Sequence, residues 1–456
     1  MADPNLADVQ GFILRGYNMS FVRHFVLQIN DVAGSKQFLG SLVDGGAASS
    51  IQITTASPWT AKPDYCLNIG LTYEGLKKLQ LSGDSLSSFP PEFIAGSAAR
   101  ADIVGDTGES GPENWIVGGL KTPAPHMLLF LYAQNCDVLE SKTAILRTLF
   151  ARQGAFTELS HHDGNTLPGE RVHFGYRDGI SQPTIDGAPL KEFPDSQPVA
   201  PTGEFLLGYH YQFSETYGYL VPKPDALGIN GSFAAFRILR QEVDAFENFL
   251  QETAAAIGMS VEMLAAKLCG RWRNGIPLVL SPDTDSPDPP IALDQLNNYD
   301  YVPVDANGYR CPLGAHMRRA NPRGEVVAGG GGHKRRIVRR GMPYGPPYDP
   351  ANPKDGIERG LLGVFINGSL AQQFEFLMRT WINQGDFVGL NNMRDPLVGN
   401  NTPEESKFLI PSEEGTKTVT GLSRFVITRG GLYCFLPSIT ALKYLASRVY
   451  KEGLRR

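Results

Sequence analysis

A chain of 456 residues, 42% of them hydrophobic and 20% charged, has the composition of an ordinary globular protein and room for two domains, which excludes a disordered or fibrous chain. With 42 Lys and Arg against 47 Asp and Glu the formal charge is −5, which argues against global attraction to nucleic acid or to an anionic membrane. The 50 glycines and 33 prolines demand many turns and long connections.

In chain order, the start MADPNLADVQGFILRGYNMS has neither a basic segment leading into an apolar one nor an arginine pair, so a cytoplasmic protein, or one exported by a non-classical route, is expected. Residues 21–29, FVRHFVLQI, are β-branched and aromatic enough to read as a strand, and 34–43 place apolar residues at helical spacing. Strands are expected at 50–55 and 67–71, a short helix at 73–81, an all-apolar buried strand at 127–133 and an amphipathic helix at 138–152. The order is close to β-α-β-β-α-β, interrupted by a long irregular insertion over 82–122. The cadence restarts with a strand at 231–239 and helices at 241–257 and 261–272. It continues with a strand at 360–366, a helix at 370–381, a strand over 424–435 broken by Gly430 and Gly431, and a closing helix over 438–450.

The predicted fold class is therefore α+β: two ferredoxin-like domains, 1–195 and 196–456, divided within the Pro-rich, weakly periodic stretch 188–202. No apolar run approaches the roughly 20 residues of a membrane span. Cys66, Cys136, Cys269, Cys311 and Cys434 show no CxxC spacing and read as buried thiols.

Two segments lack any period, 175–187 and 310–345, and long structureless stretches in compact domains tend to carry function. The first, GYRDGISQPTIDG, sets Asp178 between Arg177 and Gly179, with Gly175 three residues upstream. Glycines here let the backbone turn tightly and approach a flat ligand, although Asp-Gly is equally an everyday turn signal. The second, RCPLGAHMRRANPRGEVVAGGGGHKRRIVRRGMPYG, sets Arg318, Arg319, Arg323, Lys334, Arg335, Arg336, Arg339 and Arg340 against Glu325 alone. Unless it is a solvated face, such a cluster wants an anion: the phosphates of a nucleic acid or nucleotide, or cofactor carboxylates such as haem propionates. GGGGHK, from Gly329 to Lys334, lacks the spacing and hydroxyl of a phosphate loop. Aromatic interleaving is too sparse for a nucleic-acid surface, and the dispersed histidines form no zinc pair. His316 reads either as a structural histidine in a turn or as an axial ligand to an anionic macrocycle.

Gly175 to Gly179, with Ile180-Ser181-Gln182-Pro183 after it, resembles the GxxDG motif of the dye-decolorizing peroxidases. Asp8 to Leu14, DVQGFIL, looks like that family's amino-terminal signature. Ala315 to Arg323, AHMRRANPR, looks like the stretch bearing its proximal haem histidine, and Ile337 to Gly345, IVRRGMPYG, is similar to the stretch bearing its distal arginine. The matches keep the family's order and span nearly the whole chain.

The resemblance implies two ferredoxin-like domains with haem b held mainly by the second. It implies His316 as the axial ligand of the iron, Asp178 as distal acid-base and Arg339 as distal cation. Arg339 is preferred to Arg340 because the family places its arginine five residues before the aromatic of the turn, here Tyr344. Asp395 is the expected partner of the second His316 nitrogen, with Asp386 as the alternative. Gly175, Gly179 and Arg323 are carried over as cofactor contacts, and Val364 and Ile366 as lining of the distal pocket. The implied activity is reduction of hydrogen peroxide with one-electron oxidation of bulky aromatic donors: anthraquinone and azo dyes and phenolics. Tyr344 and Trp381, unless they are ordinary packing residues, are the implied surface oxidation sites. The alternatives are a haem-binding or haem-handling protein without turnover and, from another class, an anion- or nucleic-acid-binding protein using residues 318–340.

Overall fold

Period-two alternation in the runs 21–29 and 127–133 builds a sheet with two apolar faces. The computed structural model describes residues 3–44, 51–189, 195–213, 220–328 and 330–447. In the first half, β1 (Phe21–Ile29), α1 (Val32–Ser41), β2 (Tyr65–Leu71), β3 (Met127–Ala133), α2 (Cys136–Ala151) and β4 (Phe156–Asn165) follow one another. Their strands pair antiparallel in the order β4-β1-β3-β2, the ferredoxin-like arrangement.

The second half holds β5 (Ser232–Gln241), α3 (Val243–Ile257), α4 (Val261–Cys269) and α5 (His316–Ala320). After these come β6 (Val338–Arg339), β7 (Met342–Tyr344), β8 (Gly360–Asn367), a separate hairpin β9 (Lys407–Ser412) and β10 (Gly415–Thr420), β11 (Val426–Leu436) and α6 (Ile439–Ser447). The order β11-β5-β8-β6 repeats that of the first half, with β6 and β7 together in the place of the second strand. Leu71 of β2 meets Phe435 of β11, so both repeats share one sheet.

Alternate side chains divide the interior. Phe25, Leu27, Leu129 and Leu131 face a layer closed by Phe38 and Leu39 of α1, Leu146 of α2 and Leu442 of α6. Val22, Val26, Leu128 and Phe130 face a second core shared with Phe236 of β5 and with Leu362, Val364 and Ile366 of β8. Burial of these side chains, about 1.5–3 kcal/mol each, is the main force that holds the two repeats together.

Three expected elements differ, and one strand was not expected. Ser50 lies outside the described residues, and 51–55 form no strand: Thr54 is tied to Gly11 and Leu67 by one backbone bond each. The missing strand is β4, whose sequence TELSHHDGN is too polar to read as one because an edge strand buries only part of its surface. The helix expected at 370–381 is an α-helical turn, Phe374–Phe376, that runs into a π-helical stretch, Leu377–Asn383. There the Trp381 carbonyl accepts from the Arg319 guanidinium, as does that of Gln384, the residue that follows the stretch. Gly430 does not break β11 but marks a bulge in its pairing with β5. The end of the closing helix, 448–450, lies outside the described residues, as does 190–194 of the expected boundary. Four cysteines are buried, but Cys136, the first residue of α2, is exposed. No described helix is long and apolar enough to cross a membrane.

Candidate active site

A cavity of about 1450 Å³, open solvent at its mouth included, lies against the outer face of β8. Leu239, Leu361, Phe365, Phe374, Leu377 and Ile382 give it apolar walls. The β8 residues that reach it are Leu361 and Phe365; Val364 and Ile366, expected there, lie fully buried on the opposite face of the strand. A reading displaced by one residue exchanges the two faces of a strand, which is the source of that error. Gly363 leaves room for the Phe365 ring: a Cβ at that position would lie 2.7 Å from Phe365 Cε2.

His316 opens α5 and lines the cavity. Its Nδ1 lies 2.9 Å from Oδ2 of Asp395, whose residue is 0% exposed. The Leu397 and Val398 N–H groups donate to Asp395 Oδ1, both at 2.9 Å. Burial alone would raise the Asp395 carboxyl; the His316 ring, the Val398 N–H and Arg319 outweigh it and hold the group below its ordinary value. An ionised Asp395 fixes the proton on Nδ1 and leaves the Nε2 lone pair free to bind a metal. Asp395, not the other candidate Asp386, is thus the partner of Nδ1, and Asp386 acts electrostatically on Arg319.

Asp178 comes to the same site on the 175–183 loop. Gly175 and Gly179 adopt φ of 85° and 78°, the left-handed region that favours glycine, and this turns the loop around the carboxylate. Neither glycine is on the cavity wall, contrary to expectation; Gly175 packs against the Arg273 side chain, and Gly179 faces open space. Arg339 lines the cavity and donates from Nη1 to Asp178 Oδ1 at 3.1 Å and from Nη2 to the Ser181 carbonyl at 2.9 Å. Asp178 stands beside the cavity with 45% of its side-chain surface accessible. Its surroundings raise the carboxyl by desolvation, but Arg339, the Gly179 N–H and the more distant His316 bring it below the ordinary value. Arg340 points the other way, into the core, and donates to the Phe12 carbonyl.

Most of the arginine cluster is not a surface. Arg318, Arg319, Arg323 and Arg335 are fully buried. Arg318 is paired with Asp305 and Glu325, and Arg319 with the carbonyls of Trp381, Gln384 and Met393. Arg323, expected at the cofactor, instead holds Asn297 and the Ser181 hydroxyl and stacks on Tyr299. Buried in this way, these four guanidinium groups are not presented to solvent, where a nucleic acid would meet them. Gly329, the first glycine of the GGGGHK run, lies outside the described residues. Arg336 does reach the cavity wall, 9% exposed and, among the described residues, in no ion pair. Burial, then Arg323, pushes its guanidinium down to about 10. Trp381 is 1% exposed and donates to the Ala328 carbonyl, so it is no surface oxidation site.

The insertion 82–122 supplies one wall that motifs did not reveal. Asp106 pairs with Arg237 of β5, and Thr428 of β11 bonds to both at 2.7 and 2.9 Å. The side chains of the pair are 5% and 2% exposed. Asp106→Ala leaves the Arg237 charge buried without its partner, and the expected loss, read as a lower urea midpoint, is about 3–5 kcal/mol.

The dye-decolorizing peroxidase msp1 of Mycetinis scorodonius is 32% identical over 473 aligned positions, which cover 97% of this chain and 88% of the relative. This chain belongs to the dye-decolorizing peroxidase family. A dye-decolorizing peroxidase of Exidia glandulosa is 31% identical, over 96% of this chain and 86% of its own. Among solved structures, a dye-decolorizing peroxidase in complex with 2,6-dimethoxyphenol superposes with a TM-score of 0.81 at 29% identity, covering 97% of this chain and 100% of that one. The fungal enzyme of Auricularia auricula-judae gives 0.81 at 25% identity, over 97% and 100%. No family model matches the chain.

The family's two-repeat ferredoxin-like fold is the one described above, and the chain is a peroxidase. Dye-decolorizing peroxidases depend on haem, and the residues present fit that group. The cavity offers broad apolar walls, a histidine with a free Nε2, and the buried cation Arg336, which is in no ion pair among the described residues. An anionic macrocycle satisfies each of these.

Proposed function

We propose that the chain holds haem b on His316, consumes hydrogen peroxide with Asp178 and Arg339, and oxidises phenols and anthraquinone or azo dyes in one-electron steps. Two bonded pairs at one apolar cavity carry this reading, His316 with Asp395 and Arg339 with Asp178. Residues 1–195 supply Asp178 and 196–456 the haem-holding side chains. No cysteine reaches the cavity wall among the described residues, which favours haem held without thioether bonds.

Bound haem supplies the redox chemistry, giving electrons to peroxide and recovering them singly from donors. His316 would hold the iron through Nε2, and Asp395 keeps the ring oriented and electron-rich. Arg336 offers a charge-assisted contact to a propionate. Asp178, held ionised, would take a proton from one peroxide oxygen at Oδ and return it to the other. Arg339 donates to the oxygen on which negative charge grows. Placed proton transfer is worth about 10²–10⁴-fold and a preorganised donor about 10²–10³-fold. For donors too large to enter, Tyr344 is the proposed outlet: it is partly exposed, and its hydroxyl donates to Glu358 Oε1 at 2.8 Å, a carboxylate able to take the phenolic proton.

A haem-handling protein without turnover has no use for the Arg339–Asp178 pair. Purified protein supplied with haem is expected to show a Soret band and peroxide-dependent oxidation of 2,6-dimethoxyphenol. Failure to take up haem, or uptake without peroxide consumption, refutes the reading.

A further inference from the structure

Arg339 sits in a strand of two residues at the free edge of the nine-stranded sheet. In an antiparallel ladder, residues alternate between exchanging both main-chain bonds with the partner strand and turning both away. The register pairs Val338 with Ile366 and Arg339 with Phe365, and the Arg340 N–H donates to the Val364 carbonyl at 2.9 Å. Arg340 is thus a bonded position, and the N–H and C=O of Arg339 point away from β8. Without a further strand the N–H would be left to solvent or to the cavity, and the carbonyl would keep only a long bond, at 3.4 Å, from Nη1 of Arg340.

The Gln182 side chain takes both. The Arg339 N–H donates to Gln182 Oε1 at 3.2 Å, and Gln182 Nε2 donates to the Arg339 carbonyl at 3.0 Å. A carboxamide carries a donor and an acceptor in one plane and here stands in for a neighbouring strand. The preceding residue holds the other end of the same arginine, since the Ser181 carbonyl accepts from Nη2 at 2.9 Å. Ser181 is itself fixed: Arg323 donates to its hydroxyl at 3.1 Å, and Asn297 donates to the Ile180 carbonyl at 2.8 Å. Asp178 lies four positions before Gln182 on this anchored loop. The loop therefore carries one member of the reactive pair and grips the main chain of the other.

We propose that Gln182 is a positioning residue for Arg339, setting the height and direction of its guanidinium over the reacting peroxide. The proposal rests on the reading of Arg339 given above. Displacements near 1 Å cost up to about 10²-fold in rate, and a two-residue edge strand has few other bonds to resist them.

The test uses haem-loaded wild-type protein and the variants Gln182→Leu and Gln182→Glu. Each is mixed with excess peroxide to obtain the second-order rate from the Soret change, and titrated with fluoride, whose binding to ferric haem reports distal hydrogen-bond donors. Haem content and the donor KM are measured alongside. Gln182→Leu is expected to keep its haem and donor KM, to react about 10- to 100-fold more slowly with peroxide, and to bind fluoride more weakly. Gln182→Glu is expected to recover relative to wild type as the pH falls and the introduced carboxyl gains the proton it needs to donate to the Arg339 carbonyl. Peroxide rates and fluoride affinities indistinguishable from wild type in both variants overturn the proposal. So does a loss that tracks haem content or donor KM, which marks a general structural role. If Gln182→Leu does not fold, Gln182→Glu decides: a peroxide-rate pH profile identical to that of wild type overturns the proposal. A wild-type protein that holds haem but ignores peroxide overturns the functional reading and this proposal together.

Discussion

Arg339→Leu is expected to slow peroxide consumption by about 10²–10³-fold and to move the acid limb of its pH profile upward. The rate loss follows from removing a donor already aimed at the site of charge development, fixed by bonds to Asp178 and Ser181. The shift in the limb is the more specific signature. Asp178 must be ionised to accept a proton, and its carboxyl lies below the ordinary value because Arg339 and the Gly179 N–H outweigh desolvation. A depressed carboxyl keeps its charge until the pH falls through the depressed pKa, so the wild-type limb lies below the reference of about 3.9. Without the guanidinium, desolvation is less opposed, the carboxyl rises, and activity is lost at higher pH. Asp178→Asn is expected to lower the rate about 10²–10⁴-fold and to abolish that limb. Stopped-flow rates between acid and neutral pH separate the cases. An Arg339→Leu protein with the wild-type limb contradicts the assigned pairing.

The same pair marks how far sequence reasoning reached. Asp178 and Arg339 lie 161 positions apart, yet each sits in a short motif whose family likeness implies a role, and the fold brings the two side chains together. The strand that bears Arg339 was not legible. Consecutive arginines at 339 and 340 conceal the alternation of β6, because Arg340 enters the core and spends its charge on the Phe12 carbonyl and on proximity to Tyr17 and Tyr132. Arg318 and Arg319 misled in the opposite sense: as letters they form a basic cluster, and in the fold they are internal clamps for the short helix that begins with His316. The wall provided by Asp106 was invisible because its partner Arg237 is 131 positions away and no local pattern links an irregular insertion to a strand. Residues whose role is chemical left motifs; residues whose role is to shape the cavity depend on strand parity and tertiary pairing, where an error of one position is enough to fail.

His316→Ala is expected to abolish stable haem binding, while Asp395→Asn keeps the fold and weakens haem or activity about 10- to 100-fold. The first follows because, among the described histidines, His316 alone lines the cavity. Added imidazole restores a Soret band if the ligand is all that was lost. The second rests on the proton inventory of Asp395. Its Oδ1 accepts from the N–H groups of Leu397 and Val398, and its Oδ2 faces Nδ1 of His316. An asparagine has one acceptor where the carboxylate has two. If that oxygen stays with the backbone donors, the amide NH₂ faces the ring, Nδ1 must become the acceptor, and the proton moves to Nε2, the atom that should bind iron. The same tautomer error follows when the Asp of a Ser-His-Asp triad becomes Asn. A haem titration, together with the reduction potential, reads the effect directly: loss of the anionic partner makes the ring a poorer donor and raises the potential. An Asp395→Asn protein with wild-type affinity and potential would falsify the orienting role of Asp395 and leave it only the burial that holds the 395–400 turn.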